Sequence, residues 1–114
     1  MPIQLGTAEA LKLWHAVNLA QVHGDQPDLS VRQLTILLTI YMEAPPHTIR
    51  DLAKNLQVSK PVITRALNAM GKLNLVARRR DDADRRNVLV QRTVKGALYL
   101  DQLAALISKN AKDL

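Results

Sequence analysis

Apolar residues recur along this chain at helical spacing, interrupted by stop signals, and the pattern predicts five helices with a single pair of strands. Thr7 is positioned to cap a first helix in which Leu11, Trp14 and Val17 repeat, flanked by His15 and Ala20, and which ends near His23 and Gly24. After the loop GDQPDL, Ser30 opens a second helix with Gln33 at the capping-box position, and Leu34, Leu37, Leu38 and Tyr41 form the stripe expected to be buried. That helix stops at EAPPH, because paired prolines cannot continue it.

The second half is more tightly spaced. Thr48 begins a short helix, with Asp51 three residues on and Ile49, Leu52, Ala53 and Leu56 as its apolar face. Ser59 starts the next one almost at once, with Pro61 tolerated in its first turn, and Val62, Ala66, Leu67, Met70 and Leu73 are expected inside. Asn74 suits a left-handed stop. Residues 76–80 and 88–92 then read as strands joined by a charged turn, and Thr93 caps a last helix carrying Leu100, Leu103, Ala104 and Ile107. A short helix, a tight turn, a second helix and a two-stranded hairpin make a winged helix-turn-helix. The fold class expected is therefore mainly α with a small β-hairpin: one domain over residues 1–114, with a winged lobe at 30–93 and flanking helices at 7–23 and 94–112.

Charge changes the picture by its position. The 114 residues carry a net +6, yet residues 48–96 hold twelve Lys and Arg against four Asp, while the flanks hold four against six acids. A basic centre between flanks that together carry a net −2 points to an anionic partner at the helix-turn-helix. On the fourth helix, Lys60, Thr64 and Asn68 fall opposite the expected core, with Ser59, Pro61 and Arg65 beside them, and residues 59–74 contain no acid. Such a face suits the major groove of duplex DNA, where Arg or Lys bonds guanine, Asn pairs with adenine and a Thr methyl meets thymine. Arg50 and Lys54, on the preceding helix, are expected at phosphates.

The turn between the strands is the densest feature: RRRDDADRR places five arginines and three aspartates in nine residues. Arginines alone would repel one another. Interleaved carboxylates can hold guanidinium groups by bidentate pairing, so Asp84 is expected to organise the tip while Arg85 and Arg86 reach toward a narrow minor groove.

These stretches resemble a known family. DDADRRNVLVQRTVKG is similar to the wing of MarR family transcription regulators, whose pattern is close to D-x-x-D-R-R, a V-x-V strand and T-x-x-G; TIRDLAKNLQVSKPVITRALNAMGKLNLV resembles their helix-turn-helix, and LSVRQLTILLTI the helix before it. The resemblance covers residues 29–96. It implies a homodimeric DNA-binding regulator, usually a repressor, with Ser59, Lys60, Pro61, Thr64 and Arg65 on the major-groove helix and Arg86, held by Asp84, in the minor groove. Two residues depart from the pattern: Asn74 stands where Gly is usual, and Arg92 where a Leu is common. Family members dimerise through the first helix and two C-terminal helices, whereas this sequence ends at Leu114 with one helix after the wing. Leu11, Trp14, Val17, Leu100, Leu103 and Ile107 are the residues expected at a dimer seam.

Other classes fit less well. No Gly-rich phosphate loop, H-E-x-x-H pair or nucleophilic triad pattern suggests an enzyme, and no cofactor is expected. His15, His23 and His47 lack chelating spacing within one helix face. Many relatives respond to small aromatic acids, and Trp14, His15, Arg32 and Tyr41 are the residues expected to line an effector cleft. With no cysteine, no signal-peptide pattern in MPIQLGTAEALKL and no apolar run near ~18 residues, a cytoplasmic location away from membranes is expected. The alternative from another class is an adaptor, a winged helix that binds a protein partner without operator binding of its own.

Overall fold

A computed structural model describes residues 3–114. The elements, in order, are α1 (Thr7–His23), α2 (Val31–Met42), β1 (His47–Thr48), α3 (Ile49–Leu56), α4 (Lys60–Lys72), β2 (Val76–Arg80), β3 (Val88–Arg92) and α5 (Val94–Lys112). The chain divides into two compact units, one spanning Leu29–Leu98 and the other combining the residues up to Asp28 with Tyr99–Leu114.

Within Leu29–Leu98, local chemistry starts and stops each helix. At the head of α2, Ser30 Oγ accepts from the Gln33 N–H at 3.1 Å while Gln33 Oε1 accepts from the Ser30 N–H at 2.9 Å, completing the expected capping box. Thr48 caps α3 by accepting from the Asp51 N–H at 3.0 Å. Gln57, with φ 57°, ends α3, and Asn74, with φ 61°, follows α4. Both occupy the left-handed region, which Asn tolerates better than most residues.

Two expectations need correction here. The sheet has three strands, in the order β1-β3-β2, not a single pair: His47 faces Val90 and Thr48 faces Leu89. A two-residue strand is too short to carry an alternation signal; it exists only because β3 offers it an edge. The hairpin itself matches its predicted ends, from Val76 opposite Arg92 to Arg80 opposite Val88. The second correction concerns the edges of two helical stripes. In α4 Ala66, Leu67 and Met70 are buried as expected, but Ile63 takes the place of Val62, and Val62 and Leu73 are only half-buried; in α2 Leu37 is buried as expected, joined by Ile36 and Ile40, with Leu34 and Tyr41 half-buried and Leu38 exposed. Neighbouring residues on a helix point about 100° apart, so only one of an adjacent apolar pair can face the core squarely. Leu52 and Ala53 of α3, with Leu75, Val76 and Val90 of the hairpin root, are also buried.

The junction of α2, β3 and α5 is held by polar contacts. The Tyr41 hydroxyl donates to the Thr93 carbonyl at 2.8 Å and accepts from the Thr93 N–H at 2.8 Å. Thr93 Oγ1 in turn caps α5, accepting from the Gly96 N–H at 3.0 Å. These bonds keep the first turn of α5 with the winged lobe, so the unit boundary lies beyond Leu98 and not at Thr93 as the sequence suggested.

In the other unit, α1 spans residues 7–23 as expected, but Gly6 and not Thr7 is its N-cap, with the Gly6 N–H bonded to Glu9 Oε1 at 3.3 Å. Val17, Tyr99 and Leu103 are buried there, and the Tyr99 hydroxyl donates to the Pro27 carbonyl at 3.1 Å. Burial, aided by the charge of Asp28, raises the Tyr99 pKa. No helix among the described residues is long and apolar enough to cross a membrane.

Candidate nucleic-acid interface

The outward face of α4 follows from its core. With Ile63, Ala66, Leu67 and Met70 inside, Lys60, Pro61, Arg65, Asn68 and Lys72 lie toward the outside, while Thr64 is half-buried at the flank. Ser59, the N-cap, is exposed but its side chain caps no N–H in the helix. Lys72 was not among the residues expected at the interface; it is exposed and lies four residues beyond Asn68, on the same face as Pro61, Arg65 and Asn68. Arg32, expected at an effector cleft, instead lines a shallow groove with Arg65 between α2 and α4. Nothing local could signal that neighbour, because the two residues meet only through the packing of their helices.

The wing tip is a closed set of short bonds. Asp81 N–H donates to the Asn87 carbonyl at 3.1 Å, and Asn87 N–H donates to the Asp84 carbonyl at 2.9 Å. Asp81 Oδ1 accepts from the Ala83 N–H at 2.9 Å, so this acid shapes the turn. Asp84 takes hold of one arginine. Its carboxylate accepts from Arg86 Nε at 3.0 Å and from Nη2 at 3.1 Å, and also from the Arg86 backbone N–H. The fork is paired with the carboxylate while the Arg86 side chain stays 90% exposed. Hydrogen bonding by Arg86, first from its side chain and then from its N–H, lowers the Asp84 pKa, with the charge of Arg50 adding to the effect against an opposing desolvation. Arg85 is exposed, and its carbonyl accepts from Arg80 Nη1 at 2.9 Å.

Arg50 and Lys54 are both exposed on α3, but they differ in their partners. Arg50 Nη2 donates to Asn87 Oδ1 at 3.2 Å, which ties the first helix of the helix-turn-helix to the wing. Its role is therefore not confined to an unattached cation.

The expected seam residues divide by accessibility. Leu11, Trp14 and Ile107 are exposed in the single chain and Leu100 is half-buried, whereas Val17 at 0% and Leu103 at 7% are core of their own unit and present little surface to a partner. Of the residues expected at an effector cleft, Trp14 and His15 belong to one unit and Arg32 and Tyr41 to the other. The helical unit contains a half-open cavity of about 480 Å³ that none of the four lines; it lies between the end of α1, Pro27 and the Tyr99 to Lys109 stretch of α5.

A family model described as the MarR family matches residues 29–88. No curated protein sequence matches the chain. Among solved structures, the chain is similar to a mutant of MepR from S. aureus, with TM-score 0.76 and 18% identity over 96% of this chain and 82% of that one. It is also similar to the transcriptional repressor CouR bound to a 23-mer DNA duplex, with TM-score 0.70 and 23% identity over 93% of this chain and 69% of that one. CouR from Rhodococcus jostii RHA1 bound to p-coumaroyl-CoA matches with TM-score 0.65 and 25% identity over 91% and 71% of the two chains. The five helices and small antiparallel sheet are thus the winged-helix architecture of these regulators.

Proposed function

This chain belongs to the MarR family of DNA-binding transcription regulators, and we propose that it is a homodimeric, sequence-specific repressor without enzymatic activity. In this reading α4 enters the major groove, with Arg65, Asn68 and Lys60 toward base edges, Thr64 at a thymine methyl, and Ser59 and Pro61 at the helix entry. Arg86 enters the adjacent minor groove, Arg85 meets flanking phosphates, and Lys54 and Arg50 hold the backbone beside the major groove.

One observation carries the reading: Arg86 is gripped by Asp84 through both ends of the carboxylate yet remains 90% exposed. An arginine serving only solubility has no need of a fixed direction. A guanidinium aimed in advance loses less side-chain entropy when it enters a groove, so the pairing supports recognition over mere charge. The structure of CouR with a 23-mer duplex supports DNA as the partner. CouR with p-coumaroyl-CoA, together with a cavity of about 480 Å³ in the helical unit, supports control by a small organic effector.

The deciding experiment is selection of bound sequences from a random duplex pool, followed by titration of the enriched duplex and a scrambled one at several salt concentrations. A repressor of this kind enriches one pseudo-palindromic sequence and binds it more tightly than the scramble at every salt. An adaptor built on a winged helix enriches nothing.

A further inference from the structure

Arg92, the last residue of β3, is an arginine that the charge pattern counts with the DNA-facing set but that the fold turns elsewhere. Its Nε donates to the Ile40 carbonyl at 3.0 Å and its Nη2 to the Glu43 carbonyl at 3.1 Å, and its guanidinium lies 5.8 Å from the centre of the Tyr41 ring. The last carbonyls of a helix have no partner within it, and that end carries the negative pole of the helix dipole. Arg92 therefore caps α2 from the foot of the wing.

Four neighbouring bonds tighten the same joint. The backbone of Thr93 is held on both sides by the Tyr41 hydroxyl, and Thr93 Oγ1 donates to the Asn74 carbonyl at 2.7 Å, where the chain turns toward β2. His47 Nε2 lies 3.2 Å from the Glu43 carbonyl that Arg92 also reaches, which brings β1 to the same point. From this root the hairpin runs out from the Val76 and Arg92 pair to the Arg80 and Val88 pair before the tip begins. Four residue steps of strand extend ~13 Å, so a rotation of ~10° at the root displaces the start of the tip by ~2 Å. That is several times the tolerance within which a binding constellation must be held, ~0.5 Å.

We propose that Arg92 is a wing-positioning residue: by bonding the two carbonyls at the end of α2 it sets the angle at which the wing presents Arg86. The proposal rests on the reading of Arg86 as a DNA contact. A leucine in this place packs on Tyr41 but leaves both carbonyls without this donor and the direction of the root unspecified. A lysine keeps the charge but lacks the planar fork that spans two acceptors.

The test is a double-mutant cycle with a DNA-free control. Wild type, Arg92→Leu, Arg92→Lys and Arg86→Ala, and the two double variants with Arg86→Ala, are titrated with the labelled duplex that the wild type enriches from a random pool. Thermal melting is recorded for each. If Arg92 acts through the wing, Arg92→Leu weakens binding about tenfold in the parent and less than about twofold when Arg86 is already alanine, a coupling within the range of residues that act together. Arg92→Lys falls between wild type and Leu in the parent and shows the same coupling, which separates position from charge. Equal losses in both backgrounds, or no loss in either, overturn the proposal.

Hydrogen exchange without DNA reads the joint itself. Arg92→Leu and Arg92→Lys are expected to speed exchange at the Asp81 and Asn87 amides of the tip while leaving the amides of α4 unchanged. Uniform acceleration, or none, also overturns the proposal. If Arg86→Ala proves not to weaken binding, the assigned DNA contact fails, and the exchange result alone decides whether Arg92 sets the wing.

Discussion

Asp84 holds Arg86 from two directions: Oδ1 takes both the backbone N–H at 3.1 Å and Nε at 3.0 Å, and Oδ2 takes Nη2 at 3.1 Å. Side chain and main chain of one arginine are thus set by one carboxylate two residues earlier. The pair sits in a turn closed by the Asn87 N–H on the Asp84 carbonyl, so its direction is coupled to the tip as a whole.

Electrostatics alone and an organised wing make opposite predictions for Asp84→Ala. Removing an acid from a basic surface strengthens phosphate attraction; releasing Arg86 weakens it. The expected outcome is weaker binding, about tenfold on the selected duplex, close to the loss from Arg86→Ala. Titrations at two salt concentrations, on variants shown by melting to be folded, check the sign. Tighter binding by Asp84→Ala at unchanged stability removes the organising role.

The same pair has a titration signature. Because Arg86 lowers the Asp84 pKa, the interaction is fully present above the unfolded-state value and is lost as pH falls through the lower folded-state value. DNA binding near neutral pH is therefore not expected to vary through this group. Following the Asp84 carboxyl by NMR in the free protein, Arg86→Ala is expected to move its titration upward, toward the ordinary aspartate range.

Base reading and backbone holding separate by their response to sequence and salt. Arg65→Ala is expected to reduce discrimination between the selected and scrambled duplexes by about 1–3 kcal/mol. Lys54→Ala is expected to weaken both duplexes alike and to reduce the salt slope by about one. Arg50→Ala combines two losses, because Arg50 also bonds Asn87 at 3.2 Å, and its effect is expected to shrink when Arg86 is already alanine.

Substitutions in the flanking unit divide by burial. Trp14 is 53% exposed and Leu103 only 7%. Trp14→Glu is expected to leave the melting temperature near wild type and, in sedimentation velocity at micromolar concentration, to shift dimer toward monomer. Leu103→Glu, which places a charge in the core, is expected to lower stability by several kcal/mol whatever the association state. A wild-type protein that sediments as a folded monomer removes the dimer from the proposal.

Gly96 gives a stability test independent of DNA. A Cβ at this position would run into the Tyr41 hydroxyl and the Leu75 carbonyl, so Gly96→Ala is expected to cost about 1–3 kcal/mol or more in thermal or urea unfolding. Tyr41→Phe leaves the Thr93 N–H and carbonyl without this partner and is expected to cost about 1–3 kcal/mol. The two losses are expected to be less than additive when combined, because removing the hydroxyl vacates one of the three atoms that the new methyl meets, leaving the Leu75 carbonyl and the ring Cζ.

Much of this protein was legible in the sequence because its signals are local. The Ser30 and Gln33 capping box, the Thr48 cap, the stop at Asn74 and the Asp84 and Arg86 pair all depend on residues within a few positions of one another, where chain geometry leaves few alternatives, and the wing strands are marked by their own apolar runs on either side of a charged turn. The acid-free run from Ser59 to Asn74 is likewise a property of the string alone.

What only the tertiary structure decided lies between segments. Val62 and Ile63 are adjacent and equally apolar, so spacing alone cannot choose which turns inward; packing buries Ile63 and leaves Val62 half-buried. In α2, ILLTI offers apolar residues on nearly every side, and contact selects Ile36, Leu37 and Ile40. The strand at His47 and Thr48 exists because β3 accepts it. Arg92 reads as one more cation in a basic stretch until the end of α2, some fifty residues earlier in the chain, supplies two carbonyls for its guanidinium. Periodicity records how a segment divides between inside and outside, but the partner across the contact is set by where the chain returns, and no pattern within one segment encodes that.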